Sequence, residues 1–155
     1  MKRLVLASAE LVGAVLLALA TAPAGLAQTT APASAAGFDC IGAEQLEDDA
    51  FAIPFARGAA TLPAAADGPL EALLNRARAE PTRPLCILGH AGRQEGGATA
   101  NSRLAARRAA AVADALVKRG LPRERLRGEV RVTAFARAAA IPVERSVVVV
   151  LLPAP

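Results

Sequence analysis

The residue with the clearest chemical demand is Arg108. It falls in the series Leu104, Arg108, Val112, Leu116, whose strict four-residue spacing puts all four side chains on one face of a helix. Arg103, Arg107 and Asp114 fall on other faces and read as ordinary solvated charges. Arg108 must instead lay its stem among apolar neighbours while its guanidinium reaches water or an anion. One reading is that it snorkels past Val112 to solvent. The other is that it meets a partner, because a buried guanidinium left alone costs several kcal/mol.

Other chemistries find little support. His90 is the sole histidine, and at the end of an apolar strand it is expected to order the following loop by hydrogen bonds. No Ser/His/Asp set can be assembled from the loops. Cys40 and Cys86 are too far apart for a C-x-x-C redox pair, and no cluster has zinc-ligand spacing. Gly92, Gly96 and Gly97 do not fit the phosphate-loop or dinucleotide glycine patterns. Glu44, Glu47, Asp48 and Asp49 form an acidic run that reads as a solvated turn or short helix. We therefore expect no enzyme, no metal and no cofactor. Phe is the only aromatic type, four residues in all, so no stacking platform for nucleic-acid bases is available.

The chain of 155 residues is one domain's worth. Residues 1–27 read as a signal peptide, with Met1-Lys2-Arg3 as a basic start, an apolar run from Leu11 to Ala20, and Gly25-Leu26-Ala27 as a small-residue cleavage site. The uninterrupted run falls short of the ~20 residues of a comfortable membrane span, although an uncleaved anchor is the alternative. Removal takes Lys2, Arg3 and Glu10 and leaves 16 basic and 13 acidic residues. Export permits one disulfide between the two cysteines, which would pin the segment before the first strand onto the second; the competing reading is a buried thiol at Cys86 and a mobile one at Cys40.

Residues 28–37, QTTAPASAAG, read as a flexible linker, and 38–155 as the domain. Strands are predicted at Ala50–Phe55, with Pro54 pointing to a sheet edge or an irregularity, and at Leu85–Leu88, short and apolar throughout as an internal strand should be. Two more are predicted at Val130–Phe135 and Ser146–Leu152. One helix runs from about Gly68 to Ala79 behind Asp67 as cap, with Leu70, Leu73, Leu74 and Ala77 on its stripe. The Arg108 helix stops at Gly120, with Leu121 packing back. Arg123 to Arg127 mixes signs and reads as a solvated turn. The order is strand, helix, strand, helix, strand, strand: an α+β two-layer sandwich with both helices on one face of a mixed four-stranded sheet.

From Phe51 to Leu152 this pattern resembles the OmpA-like C-terminal domain, the peptidoglycan-associating module of Gram-negative envelopes. Ile53, Phe55, Gly58, Ala60 and Leu62 match its I-x-F-x-x-G-x-A-x-L start, and Gly89-His90 its G-H/Y-T-D strand end. Asn101, Leu104, Arg108, Ala109 and Val112 match its N-x-x-L-S-x-x-R-A-x-x-V helix, with Ala105 in place of Ser. The resemblance implies a binding module that grips the diaminopimelate of the peptide stem between a loop aspartate and a helix arginine. Arg108 would take the carboxylate through two parallel hydrogen bonds, and Asn101 would stand near the same ligand.

The departures weaken that implication. Ala91-Gly92 stands where the family has Thr-Asp, so the anionic half of the clamp is missing from its usual place. Glu95 is a candidate substitute, because the loop is one residue longer and Gly96-Gly97 makes it pliable. The family's N-R-R-V-E becomes Glu144-Arg145-Ser146-Val147-Val148, which keeps one arginine, and the connection from Thr133 to Pro142 looks shortened. Two readings follow. The first is a periplasmic module bound to peptidoglycan through Arg108 and Asn101, with Glu95 and Arg145 as further ligands, near the outer membrane or cell wall. The second is a degenerate domain that keeps the fold for contacts with other envelope proteins.

Overall fold

The computed structural model describes residues 37–131 and 145–155. Four strands and two helices are built from these residues: β1 (Ala50–Pro54), α1 (Asp67–Ala79), β2 (Leu85–Gly89), α2 (Ala98–Lys118), β3 (Leu126–Val130) and β4 (Ser146–Leu151). The sheet order is β1-β4-β2-β3. β4 runs antiparallel to both β1 and β2, whereas β2 and β3 are parallel, so the sheet is mixed as expected. Pro54 lies on an edge strand. The all-apolar β2 is internal and buried along its whole length.

The strand alternation sorts side chains into two layers. Ile53, Phe55, Leu85, Ile87, Val147, Val149 and Leu151 face the helices and form one core with Leu70, Leu73, Leu74 and Ala77 of α1 and Val112 and Leu116 of α2. Cys86, Leu88 and Val150 point the other way, where Cys40 and Ala43 of the N-terminal segment cover them, flanked by Phe38 and Leu46. Cys40 and Cys86 form a disulfide with their Cα atoms 5.7 Å apart, which ties this strap to the centre of the sheet. Arg127 and Arg131 also donate to the strap, at Phe38 O (2.9 Å) and Cys40 O (3.0 Å).

The third strand corrects the sequence reading. The strand beside β2 is Leu126–Val130, beginning four residues before the expected start at Val130; Arg131 is not part of it, and residues 132–135 of the expected strand lie outside the described residues. Gly128 concealed the alternation: Leu126, Gly128 and Val130 share a face with Gly128 beneath Ala109, and Arg127 and Glu129 pair on the other. The segment before it is no solvated turn either. A short 3-10 turn, Arg123–Arg125, buries part of Arg125, whose guanidinium donates to Ala77 O and Glu80 O at the end of α1 and to Arg83 O in the turn before β2. Asp67 is inside the first turn of α1 and makes no cap hydrogen bond. The acidic run forms two 3-10 turns, with Asp49 paired to Arg83 at 2.6 Å and Glu44 to Arg131. The end of α2 is as expected: Gly120 N–H donates to Val117 O and Leu121 N–H to Leu116 O, a Schellman closure with Leu121 buried. Residues 1–36 and the 133–142 connection lie outside the described residues.

Candidate functional site

The site is built where α2 presses against the end of β2. A Cβ placed on Gly89 would lie 2.3 Å from Ala105 O, so only glycine lets the helix come this close. That approach sets Arg108, one turn further along α2, beneath the two loops that follow β1 and β2. Its side chain is 0% exposed, so it does not snorkel to water. The carbon of its guanidinium lies 5.4 Å from the centroid of the Phe55 ring, within cation–π range.

All five N–H donors of the guanidinium are used. Nε donates to Ala59 O (2.8 Å), and one donor each from the terminal nitrogens goes to Ala56 O (3.1 Å) and His90 O (3.0 Å). The remaining two form a parallel pair on Glu95, at 2.7 Å to Oε1 and 3.0 Å to Oε2. Glu95 therefore does reach Arg108, but in direct contact, with its own side chain only 2% exposed. Gly58 N–H donates to Oε1 at 2.8 Å and Gly92 N–H to Oε2 at 2.7 Å, so each carboxylate oxygen accepts one guanidinium and one backbone hydrogen bond. The Arg108 pair, aided by the two backbone donors and opposed by burial, holds the Glu95 carboxyl down at about 2.

The loop that delivers Glu95 is shaped by its glycines. Arg93–Glu95 is a 3-10 turn opening at Gly92, and Glu95 N–H donates back to Gly92 O. Gly96 follows with φ 157° and ψ −175°, a backbone region essentially reserved for glycine. Arg57 donates to Gln94 O at 2.9 Å, which joins the β1 loop to this one.

The other residues singled out from the sequence stand apart from the pair. Asn101, on the first turn of α2, donates from Nδ2 to Gly96 O at 3.0 Å, and its buried Oδ1 has no hydrogen-bond partner among the described residues. It holds the loop to the helix rather than touching Arg108. Arg145 is exposed just before β4 and is not among the groups contacting Arg108 or Glu95; its carbonyl accepts from Phe55 N–H. His90 is buried, with its N–H on Ser146 O and its carbonyl on Arg108. Burial, reinforced by the nearby Arg131 charge and partly offset by Glu44, pushes its ring down to about 4, so it is neutral at pH 7. Gly58 and Gly92 are the contributors that the sequence reading missed as donors. Gly58 stands in the motif match and Gly92 in place of the family's aspartate, and neither position announces a hydrogen bond. Among the described residues no group of His, Cys, Asp or Glu is placed to hold a metal ion.

A two-layer α+β domain with a charged fork sealed beneath its loops is the class of protein this geometry defines: a domain with a carboxylate-holding site. The model of the OmpA family matches residues 54–146, and the chain belongs to that family. Among solved structures it is similar to the OmpA-like domain of FopA1 from Francisella tularensis subsp. tularensis SCHU S4, at 22% identity and TM-score 0.58, covering 68% of this chain and 73% of that one. It is also similar to the peptidoglycan-associated lipoprotein from Burkholderia pseudomallei, at 16% identity and TM-score 0.54, covering 66% of this chain and 88% of that one. A MotB-like protein from Desulfovibrio vulgaris aligns at 21% identity and TM-score 0.54 over 66% of this chain and 71% of that one. These likenesses show the shared fold. No curated protein sequence matches the chain.

Proposed function

We propose that this chain is an exported, non-catalytic binding module of the cell envelope that associates non-covalently with peptidoglycan through the diaminopimelate of the peptide stem. In this reading residues 1–27 are a signal peptide, 28–37 a linker and 38–155 the binding domain, placed in the periplasm near the outer membrane or wall. The observation that carries the reading is the carboxylate seated in the fork of Arg108, at the position where the family resemblance puts the ligand arginine. The site accepts the functional group that the ligand would bring. Family membership and the likeness to a peptidoglycan-associated lipoprotein support it.

Binding through this site would be weaker than in a domain with the full clamp. Gly92 offers no anion to the ligand's ammonium, and one charge-assisted hydrogen bond is worth about 1.5–3 kcal/mol, roughly tenfold to 150-fold in affinity. Asn101 shapes the loop edge, and Arg145 adds positive charge at the same end of the sheet. Purified sacculi should sediment the protein, and free diaminopimelate should compete. Arg108→Lys, checked for fold by circular dichroism, should lose sedimentation because an ammonium cannot replace the planar fork. Failure of the folded wild type to sediment, or unchanged sedimentation of the variant, contradicts this reading.

One observation favours a second reading, in which the domain serves contacts with other envelope proteins and binds no glycan. Every donor of Arg108 is already satisfied from within the chain. Sacculus-free envelope extracts that retain partners, together with absent sedimentation, would favour it.

A further inference from the structure

Glu95 is held as a bound ligand is held. Its carboxylate takes four hydrogen bonds: two from Arg108 and one from Gly58 N–H, all from outside its own loop, and one from Gly92 N–H, which opens the turn that Glu95 closes. Arg108 is fixed by three other carbonyls, of Ala56, Ala59 and His90, and by the Phe55 ring. The Glu95 backbone makes one turn hydrogen bond, to Gly92 O, in a loop bounded by Gly92, Gly96 and Gly97 and pinned on either side by Arg57 at Gln94 O and Asn101 at Gly96 O. Withdrawing the side chain breaks no strand pairing and no turn of α2; within the backbone it uncaps only the short 93–95 turn and frees Gly58 N–H. The donors form a receptor; the carboxylate that fills it is tethered by a short glycine-flanked loop.

We propose that Arg108, Gly58 N–H and Gly92 N–H form a carboxylate receptor that Glu95 fills in cis, and that an external carboxylate enters by exchange with it. The identity of the external ligand as a stem-peptide carboxylate rests on the peptidoglycan reading; the receptor and its internal occupant do not. The tether gives Glu95 the advantage of an intramolecular ligand, so a free monocarboxylate competes poorly with it. A ligand with contacts outside the fork competes better. Glu95 then acts as a plug that lowers affinity and excludes stray anions while keeping the arginine charge neutralised.

The test removes the plug and supplies its head group. In Glu95→Ala, about 0.2 M sodium acetate should raise the melting temperature by roughly 5 °C over sodium chloride of equal ionic strength, and the wild type should shift by less than about 1 °C. The amide resonances of Gly58 and Gly92 should move with acetate in the variant and stay still in the wild type. A folded variant with no acetate-specific shift in either measurement overturns the proposal. Where Glu95→Ala does not fold in chloride, recovery of a dispersed amide spectrum on adding acetate supports the receptor, and no recovery overturns it.

Sedimentation with sacculi, run on the same two proteins, separates this proposal from the functional reading. Acetate rescue with no sedimentation of either protein keeps the receptor and removes peptidoglycan as its ligand. Sedimentation of the wild type without acetate rescue keeps peptidoglycan and removes the receptor. Both hold if acetate rescues the variant and the unplugged protein sediments at least about tenfold more tightly than the wild type.

Discussion

At the scale of single residues, Arg108 and Glu95 illustrate how a buried charge constrains its surroundings. Each is acceptable only because the other is there: removing one partner of a buried pair strands the other at a cost of about 3–5 kcal/mol, far more than the same change costs on a surface. We predict that Glu95→Gln destabilises the domain by about 3 kcal/mol in urea unfolding at pH 7, where a surface pair such as Arg123–Asp114 should cost less than about 1 kcal/mol. The pair also sets the acid limb of stability. The Glu95 carboxyl is lowered from 4.5 to about 2 in the fold, so its contribution is complete above pH 4.5 and is lost as the pH falls toward 2. His90 acts in the same direction at higher pH. Its ring is lowered from 6.5 to about 4, so the unfolded chain takes the proton first and stability declines between those values on acidification. Unfolding free energies measured from pH 7 to 2 should therefore fall in two stages, and Glu95→Gln should flatten the lower one. The four-residue spacing made the choice at Arg108 legible, a partner or escape to solvent, and the fold meets it with a partner. The partner was less so, because Glu95 lies in a loop with no periodicity and reaches its place through backbone angles that only the glycines suggest.

At the scale of elements, Gly89 determines whether the site exists at all. The carbonyl of Ala105 occupies the space of its missing side chain, so Gly89→Ala must push α2 away from β2 or bend the strand. We expect a loss of about 1–3 kcal/mol, and more if the shift carries Arg108 away from the Ala56, Ala59 and His90 carbonyls. Urea unfolding gives the first quantity, and the spectral shift of the Gly92 amide reports the second. Strongly patterned elements could be read directly: both helices, the edge position of β1, the internal β2 and the Schellman end of α2 follow from stripe spacing, Pro54, an unbroken apolar run and Gly120-Leu121. β3 could not, because its inward positions include a glycine and its outward ones alternate Arg and Glu, which looks like a charged turn when read locally. What makes it a strand is tertiary: the parallel register that sets Leu126 beside Leu85 and Val130 beside Gly89. Arg125 was misread for the same reason, since the carbonyls it caps belong to α1, far away in sequence.

At the scale of the whole molecule, the sheet is covered on both faces by different means. Two helices cover one face, and a strap with no regular repeat covers the other, held by the Cys40–Cys86 disulfide and by Arg127 and Arg131. The bridge closes a separation of 46 residues, for which chain entropy gives about 4 kcal/mol. Reduction should lower the unfolding free energy by about that amount. It should also open residues 38–49 to proteolysis before the rest of the domain, which mass spectrometry of limited digests would show. Of the two readings open for Cys40 and Cys86, the disulfide is the one found, whereas the packing of Phe38, Ala43 and Leu46 against the sheet had no periodic signature. The strap and the plugged receptor use opposite faces of β2, through Cys86 on one side and Gly89 on the other. The central claim, that Glu95 fills the place of a ligand carboxylate on Arg108, is tested most directly by an NMR titration of the Glu95 side-chain carboxyl in the intact protein. A carboxyl that stays ionised as the pH falls through 4.5 and titrates only toward about 2 is the result predicted. Titration at the ordinary value of 4.5 would contradict it, placing Glu95 in water and leaving the fork of Arg108 to something else.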